Sequence, residues 1–245
     1  MFDNFAEKPN AAVIGASGGI GAALARQLAE MPTIERVLAL SRSPSDFDDP
    51  RIRPGHIDLE DEETIAAAAE TAGGIGGMQI VIVAAGLLHD DGLQPEKSWR
   101  ALDPDQLARS FRINTIGPAL VAKHFLPLFP RDDRAIFAAL SARVGSISDN
   151  RIGGWYGYRA SKAALNMILR NLAIELGRKR KEAICVGLHP GTVDTGLSKP
   201  FQSQTPPEKL FTPDYAAECM LTVLDGLEPS DSGSVFAWDG QRVPE

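Results

Sequence analysis

The sequence predicts a single-domain, doubly wound α/β fold built on a parallel sheet of about seven strands. Short apolar runs recur along the 245 residues and alternate with segments of helical periodicity, the pattern of strands buried on both faces and joined by crossover helices. The first such run, 11–14, turns through four glycines into a segment where Ile20, Leu24 and Leu28 recur at helical spacing. Neither an internal repeat nor a linker interrupts the chain.

That opening strand, turn and helix is the most informative stretch. Gly15 can take the positive φ of a sharp turn, Gly19 removes a Cβ that would block a phosphate, and Gly21 lets the helix lie close to the sheet. A diphosphate there meets unpaired N–H groups and the positive end of the helix dipole. The turn thus offers Gly15, Ser17, Gly19, Ile20 and Gly21 to a dinucleotide. A glycine-rich turn that binds nothing has the same composition, so the motif alone leaves both readings open. Gly73, Gly74, Gly76 and Gly77 precede another apolar run, end a helix and are expected to bind no ligand.

Composition narrows the class. With 44% hydrophobic and 23% charged residues the chain reads as globular. No apolar run approaches the roughly 20 residues needed to span a bilayer, so no membrane partner is expected. Residues 1–9 contain Asp3 and Glu7 and no hydrophobic stretch after a basic start, so the expected location is cytoplasmic. Cys185 and Cys219 have no metal-ligand spacing and read as reduced packing residues; no metal is expected. A net charge of −7 argues against nucleic acid, and the basic run 178–181 reads as the end of a long helix, complementing its dipole.

The remaining elements follow in order. Pro32 stops the first helix, 36–40 reads as the second strand, and 41–54 as a polar, proline-studded loop. A dinucleotide fold that prefers NAD places an Asp or Glu about 20 residues after the glycines. Here Leu40 and Ser41 stand in that place, followed by Arg42, whose guanidinium suits the 2′-phosphate of NADP(H); a solvated loop arginine is the other reading. A third strand ends across 56–59, where Asp58 reads equally as an acceptor for an adenine amino group and as a cap for the helix over 61–72. Leu59 falls at the same edge. The fourth strand, 78–84, runs into Ala85 and Gly86, where glycine permits close approach of a ligand.

Residues 102–129 read as one long helix with Asp103 as N-cap, Pro104 at its first position and Gln106 where a capping-box partner belongs. Pro118 has no N–H for the Asn114 carbonyl four residues back, so a kink should free that carbonyl to hold a water; a plain proline kink accounts for the segment equally. The fifth strand, 135–140, ends at Ser141, and after the loop 142–154 a helix over 155–180 begins WYGYRASKAAL. Tyr158 and Lys162 are four apart and share a face of it. An ammonium beside a phenol should lower the phenol from about 10 toward working pH and yield a general acid/base, whereas without the preceding Ser141 strand the pair would read as solvated. The sixth strand, 183–188, ends in His189, Pro190 and Gly191; the aperiodic stretch 192–211 is expected to be a substrate lid. Thr212 caps a last helix to about 224, and 234–237 closes the sheet.

With the glycine turn, the Asn114 kink, the strand-end Ser141 and the Tyr158/Lys162 pair in this order, the chain resembles the short-chain dehydrogenase/reductase family over nearly its whole length. SARVGSISDN, GGWYGYRASKAALN, PGTVDTGLSKPF and FAWDG make it similar to the C-factor-like carbonyl reductase subgroup. The resemblance implies a Rossmann-type fold with a phosphate loop at Gly15, Gly19 and Gly21, although Ile14 stands where Thr is common. It implies Tyr158 as acid/base, Lys162 on the nicotinamide ribose, and the Asn114 carbonyl on a relay water. Thr195 would meet the nicotinamide carboxamide, with Pro190, Gly191 and Val193 along the cofactor.

Two departures stand out. The family's NNAG reads Val83-Ala84-Ala85-Gly86, so both asparagines are lost. Ser141 matches the substrate-positioning serine when aligned from its strand, whereas counting back from Gly145 lands on Ala142; Ser141 is retained, with Ser146 in reserve. The implied activity is hydride transfer between NADP(H) and a carbonyl or alcohol substrate, in an apolar pocket shaped by Trp155, Tyr156, Leu87 and the Phe201 loop. The alternative is an NADP(H)-binding regulatory or signalling protein of C-factor type. By the same analogy a homodimer or homotetramer is expected.

Overall fold

A computed structural model describes residues 1–43 and 45–245, except the side chain of Gln204. Pro44, in the loop expected over 41–54, and that side chain, in the expected lid, lie outside the described residues. The strands are β1 (Asn10–Ile14), β2 (Arg36–Ser41), β3 (Ile52–His56), β4 (Ile80–Val83), β5 (Ala135–Leu140), β6 (Ala183–His189), β7 (Thr192–Val193), β8 (Leu210–Phe211) and β9 (Val235–Ala237). The helices are α1 (Gly19–Glu30), α2 (Glu62–Gly74), α3 (Pro104–Phe111), α4 (Gly117–Phe125), α5 (Tyr156–Leu176) and α6 (Pro213–Gly226).

Seven strands form one parallel sheet in the order β3-β2-β1-β4-β5-β6-β9, the doubly wound arrangement expected from the sequence. Alternate residues of each central strand feed opposite layers. Ala11, Val13, Ile80 and Ile82 pack with Leu24 and Leu28 of α1 and Met220 and Leu221 of α6. Ala12, Ile14, Val81 and Val83 pack with Ile65 of α2, Phe125 of α4 and Leu165 of α5. From β1 the chain winds outward to β2 and β3, then returns to β4 on the other side, so a crevice opens at the carboxyl ends of β1 and β4.

Several local expectations change. The third strand starts inside the stretch expected as loop and ends at His56 instead of running to Leu59; it spans Ile52–His56 and includes Pro54. It is the sheet edge, where a missing N–H costs no ladder partner. The helix expected over 102–129 starts as read, with Asp103 accepting from the N–H groups of Asp105 and Gln106. Gln106 completes no capping box; its Oε1 accepts from the Gln94 N–H at 3.5 Å. That helix is broken by a π-turn, Arg112–Ile116, in which the Gly117 N–H reaches the Arg112 carbonyl five residues back. Pro118, lacking an N–H, stands at the start of α4, so the ladder shifts by one residue at the proline instead of simply bending. The basic run lies past α5, and Arg180 donates to the Phe129 and Pro127 carbonyls at 3.3 and 3.4 Å. Among the described residues no helix is long and apolar enough to cross a membrane.

Candidate active site

The crevice at the β1/β4 switch point is a cleft of about 570 Å³. Its floor is the glycine turn. Gly15 has φ +93°, and its N–H and that of Ala16 both donate to the Leu40 carbonyl, at 2.7 and 3.0 Å. A Cβ on Gly15 would lie 2.9 Å from the Ala84 carbonyl carbon and the Ala85 nitrogen, so only glycine lets the turn pass between β2 and β4. At Gly19 a Cβ would press on Thr195 Cγ2 at 3.1 Å and on Pro213 Cγ at 3.3 Å, closing the gap between turn and lid. At Gly21 it would fall 2.1 Å from the carbonyl oxygen of Gly15, the residue that follows β1, so this glycine lets α1 close on the turn at the end of that strand. The N-cap of α1 is Gly18, which has no side chain to cap the first turn, and Gly18, Gly19 and Ile20 all line the cleft. This cradle fits a diphosphate.

Ser17 and Ile20 line the cleft beside Gly15 and Gly19, as do Ser41 and Arg42 after β2, Asp58 and Leu59 after β3, and Ala85 and Gly86 after β4. Asp58 does not cap α2; Asp61 does, by accepting from the Glu63 N–H, while Asp58 accepts from the Glu60 N–H at 3.0 Å in a local turn. Pro190 and Thr195 also line it, whereas Gly21, Asn114, Gly191 and Val193 do not. Gly191, at φ +79°, packs against Phe211 instead, where a Cβ would lie 2.7 Å from the ring.

Ser141, Tyr158 and Lys162 share the opposite wall. Ser141 leaves β5 with its N–H on the Leu188 carbonyl at 2.8 Å, and its hydroxyl donates to Asn166 Oδ1 at 2.6 Å. Ser146 is outside the cleft wall, donating to the Glu245 carbonyl at 3.4 Å and accepting from the Asp149 N–H at 3.1 Å. Lys162 is buried, and its ammonium donates to the Leu140 carbonyl at 2.7 Å while standing 5.8 Å from the centre of the Tyr158 ring. Gly145 lets the turn after Ser141 close on this lysine, since a Cβ there would lie 2.9 Å from Lys162 Cβ.

The electrostatics overturn one expectation. Burial pushes the Tyr158 phenol up to about 12 and the Lys162 ammonium down to about 8. Desolvation outweighs any pull of the lysine, so the tyrosine is held protonated instead of being tuned toward neutral pH. Asn114 also differs from its reading as a backbone group alone. It is fully buried; its Nδ2 donates to the Leu87 carbonyl at 2.8 Å and to Ser161 Oγ at 3.1 Å, and its Oδ1 accepts from the Leu87 N–H at 2.8 Å. The side chain thus ties the segment after β4 to α5.

Trp155 heads α5 and meets Tyr158 and Phe201 edge-on, with ring centres 6.3 and 5.1 Å apart, and His89 meets Phe201 at 5.5 Å. Leu87 lines the cleft, but Tyr156, which is exposed, does not, and neither do Trp155 and Phe201; from the stretch 192–211 the lining residues are Thr195, Gly196 and Leu197. The stretch expected as a lid carries secondary structure: β7 pairs with β8, a 3-10 helix spans Lys199–Gln204, and His89 Nε2 lies 3.1 Å from the Gly196 carbonyl. Sequence reasoning missed Asp90 and Arg109, whose two-pronged ion pair (2.5 and 2.9 Å) lines the cleft. Nineteen residues separate them, and no spacing rule joins them.

The short chain dehydrogenase family profile matches residues 9–206. C-signal of Myxococcus xanthus is 37% identical over 149 residues, 60% of this chain and 84% of that protein. The 1-hydroxy-2-glutathionyl-2-methyl-3-butene dehydrogenase of Rhodococcus sp. strain AD45 is 32% identical over 236 residues, 93% and 96% of the two chains. The crystal structure of an NADPH-bound carbonyl reductase from chicken fatty liver is similar with a TM-score of 0.84 at 26% identity, covering 98% of this chain and 95% of that one. The chain therefore belongs to the short chain dehydrogenase family, oxidoreductases that work with a nicotinamide cofactor.

Proposed function

We propose that this protein is an NADP(H)-dependent reductase of small carbonyl compounds, also able to oxidise the corresponding alcohols. What supports the reading is the convergence on one cleft of the glycine cradle, Arg42, and the Ser141, Tyr158 and Lys162 side chains. Arg42 is exposed at the exit of β2, where it would meet a 2′-phosphate, and no acid stands at that strand end. The cofactor, when bound along Gly15, Ser17, Gly19 and Ile20, supplies the hydride. Tyr158, kept protonated by burial, gives its proton to the carbonyl oxygen. Ser141, turning its hydroxyl from Asn166 Oδ1 to the substrate, holds that oxygen, and the buried Lys162 returns the proton to Tyr158, with the Asn114 carbonyl as the seat of a relay water. Leu87 and Leu197, which line the cleft, supply the apolar wall that receives the substrate, with Trp155 packed edge-on beside Tyr158 and Phe201.

The test is loss of NADPH absorbance with a panel of aldehydes, ketones and quinones, NADH serving as comparison. Turnover with NADPH well above that with NADH supports the reading; tight NADPH binding without turnover of any member removes it. The second outcome would favour a cofactor-binding signalling role, the reading to which the similarity with C-signal lends support.

A further inference from the structure

Two charged side chains are buried among the described residues, Lys162 and Glu96, and the chemistry proposed above uses only the lysine. Glu96 lies between β4 and α3 and does not line the cleft. Both of its carboxylate oxygens accept from the Gly157 N–H, at 3.3 Å (Oε1) and 3.1 Å (Oε2). Its backbone carbonyl accepts from the Trp155 N–H at 2.5 Å. A carboxylate withdrawn from water is unfavourable unless it finds a donor, and here its donor, the Gly157 N–H, lies at the start of the helix that carries Tyr158 and Lys162.

The local sequence of α5 offers no such partner. α2, α3 and α6 each begin on a side chain that caps them, Asp61, Asp103 and Thr212. α5 begins at Trp155, a non-glycine residue in the left-handed region (φ 51°) with no side-chain capping bond. Gly157 is fitted to the contact, since a Cβ there would stand 3.0 Å from Glu96 Oε1 and 3.1 Å from Ser110 Oγ.

We infer that Glu96 is the positioning residue of α5, capping from 61 residues upstream the helix that presents the proton donor. Its carboxylate satisfies a first-turn N–H and faces the positive end of the helix dipole, while its carbonyl fixes the left-handed Trp155. Together they set where the helix starts, and so where Tyr158, the next residue after Gly157, stands in the cleft. The inference rests on the reading of Tyr158 as proton donor.

Glu96→Gln keeps an oxygen for the Gly157 N–H, and Glu96→Ala removes it. In the cofactor-free protein, hydrogen exchange at the Gly157 amide should become fast in the Ala variant and stay slow in the Gln variant. With NADPH and a reducible carbonyl, the Ala variant should bind NADPH with wild-type Kd and stoichiometry while kcat falls roughly tenfold to a hundredfold, the scale of a misplaced catalytic group. The Gln variant should recover most of that loss, and Gly157→Ala, which crowds the same oxygen, should lower kcat with NADPH binding unchanged. Wild-type exchange at Gly157 in Glu96→Ala overturns the inference, as does a fall in kcat matched by an equal loss of NADPH-binding sites, the mark of a merely structural role. If Glu96→Ala does not fold, Gly157→Ala decides, and wild-type turnover in that variant overturns the inference. Absence of carbonyl reduction by the wild-type protein removes the functional reading, while the exchange experiment still judges the cap.

Discussion

The Lys162 ammonium donates to the Leu140 carbonyl at 2.7 Å, which ties the lysine to the end of β5 one residue before Ser141. Burial lowers Lys162 from its ordinary 10.5 to about 8, so between those values the unfolded chain binds its proton and the folded chain does not. Stability should therefore rise with pH across that window, by up to about 3 kcal/mol. Tyr158 acts oppositely, but only above about 10. Urea unfolding of wild type and Lys162→Met at pH 7 and pH 10 checks this. Wild type should gain on the Met variant at the higher pH; a constant difference contradicts the burial of a titrating lysine.

Arg42→Ala should weaken NADPH binding far more than NADH binding. A charge-assisted contact to a phosphate contributes about 1.5 to 3 kcal/mol, roughly tenfold to over a hundredfold in Kd. Fluorescence titration with both cofactors measures it, and equal weakening removes the assignment.

Asn114→Ala should cost more than a change of kink geometry. It strands the Leu87 N–H and carbonyl, while the Ser161 hydroxyl keeps its bond to the Tyr158 carbonyl, so a stability loss of about 2 to 4 kcal/mol is expected. Turnover should be low but measurable, because the backbone carbonyl remains. An unchanged denaturation midpoint would show that the Leu87 tie contributes little.

The parts legible in the sequence are those that local chemistry dictates. Gly15 declares its turn because no other residue tolerates φ +93° against the Ala84–Ala85 backbone, and the Tyr158/Lys162 pair follows from helical spacing alone. The bounds of β3 are displaced in the sequence reading because Pro54 and its polar neighbours read as loop, a composition that an edge position allows. The π-turn at Asn114 leaves the apolar periodicity almost unchanged, so the proline suggested a bend but not a change of register. The direction of the Tyr158 shift was illegible for another reason: spacing gives proximity, but burial belongs to the tertiary fold. Asp90 and Arg109 meet for the same tertiary reason.

Ser141→Ala should lower kcat about a hundredfold, the effect of removing one group that holds the reacting oxygen. Ser146→Ala, altering a side chain that bonds the Glu245 carbonyl outside the cleft, should leave turnover at the wild-type level. Steady-state rates of the two variants compare them directly, and the reverse order would move the positioning role to Ser146.

The proton donor is tested most directly by single-turnover oxidation of bound NADPH in Tyr158→Phe. The substitution removes one oxygen and keeps the ring against Trp155, so folding and NADPH affinity should survive. The rate of hydride transfer to a carbonyl should fall by about 10² to 10⁴, the usual worth of general acid catalysis. Tyr156→Phe, at an exposed position outside the cleft wall, serves as the control and should react at the wild-type rate. A Tyr158→Phe protein that oxidises NADPH as fast as wild type contradicts the assignment of Tyr158 as the acid.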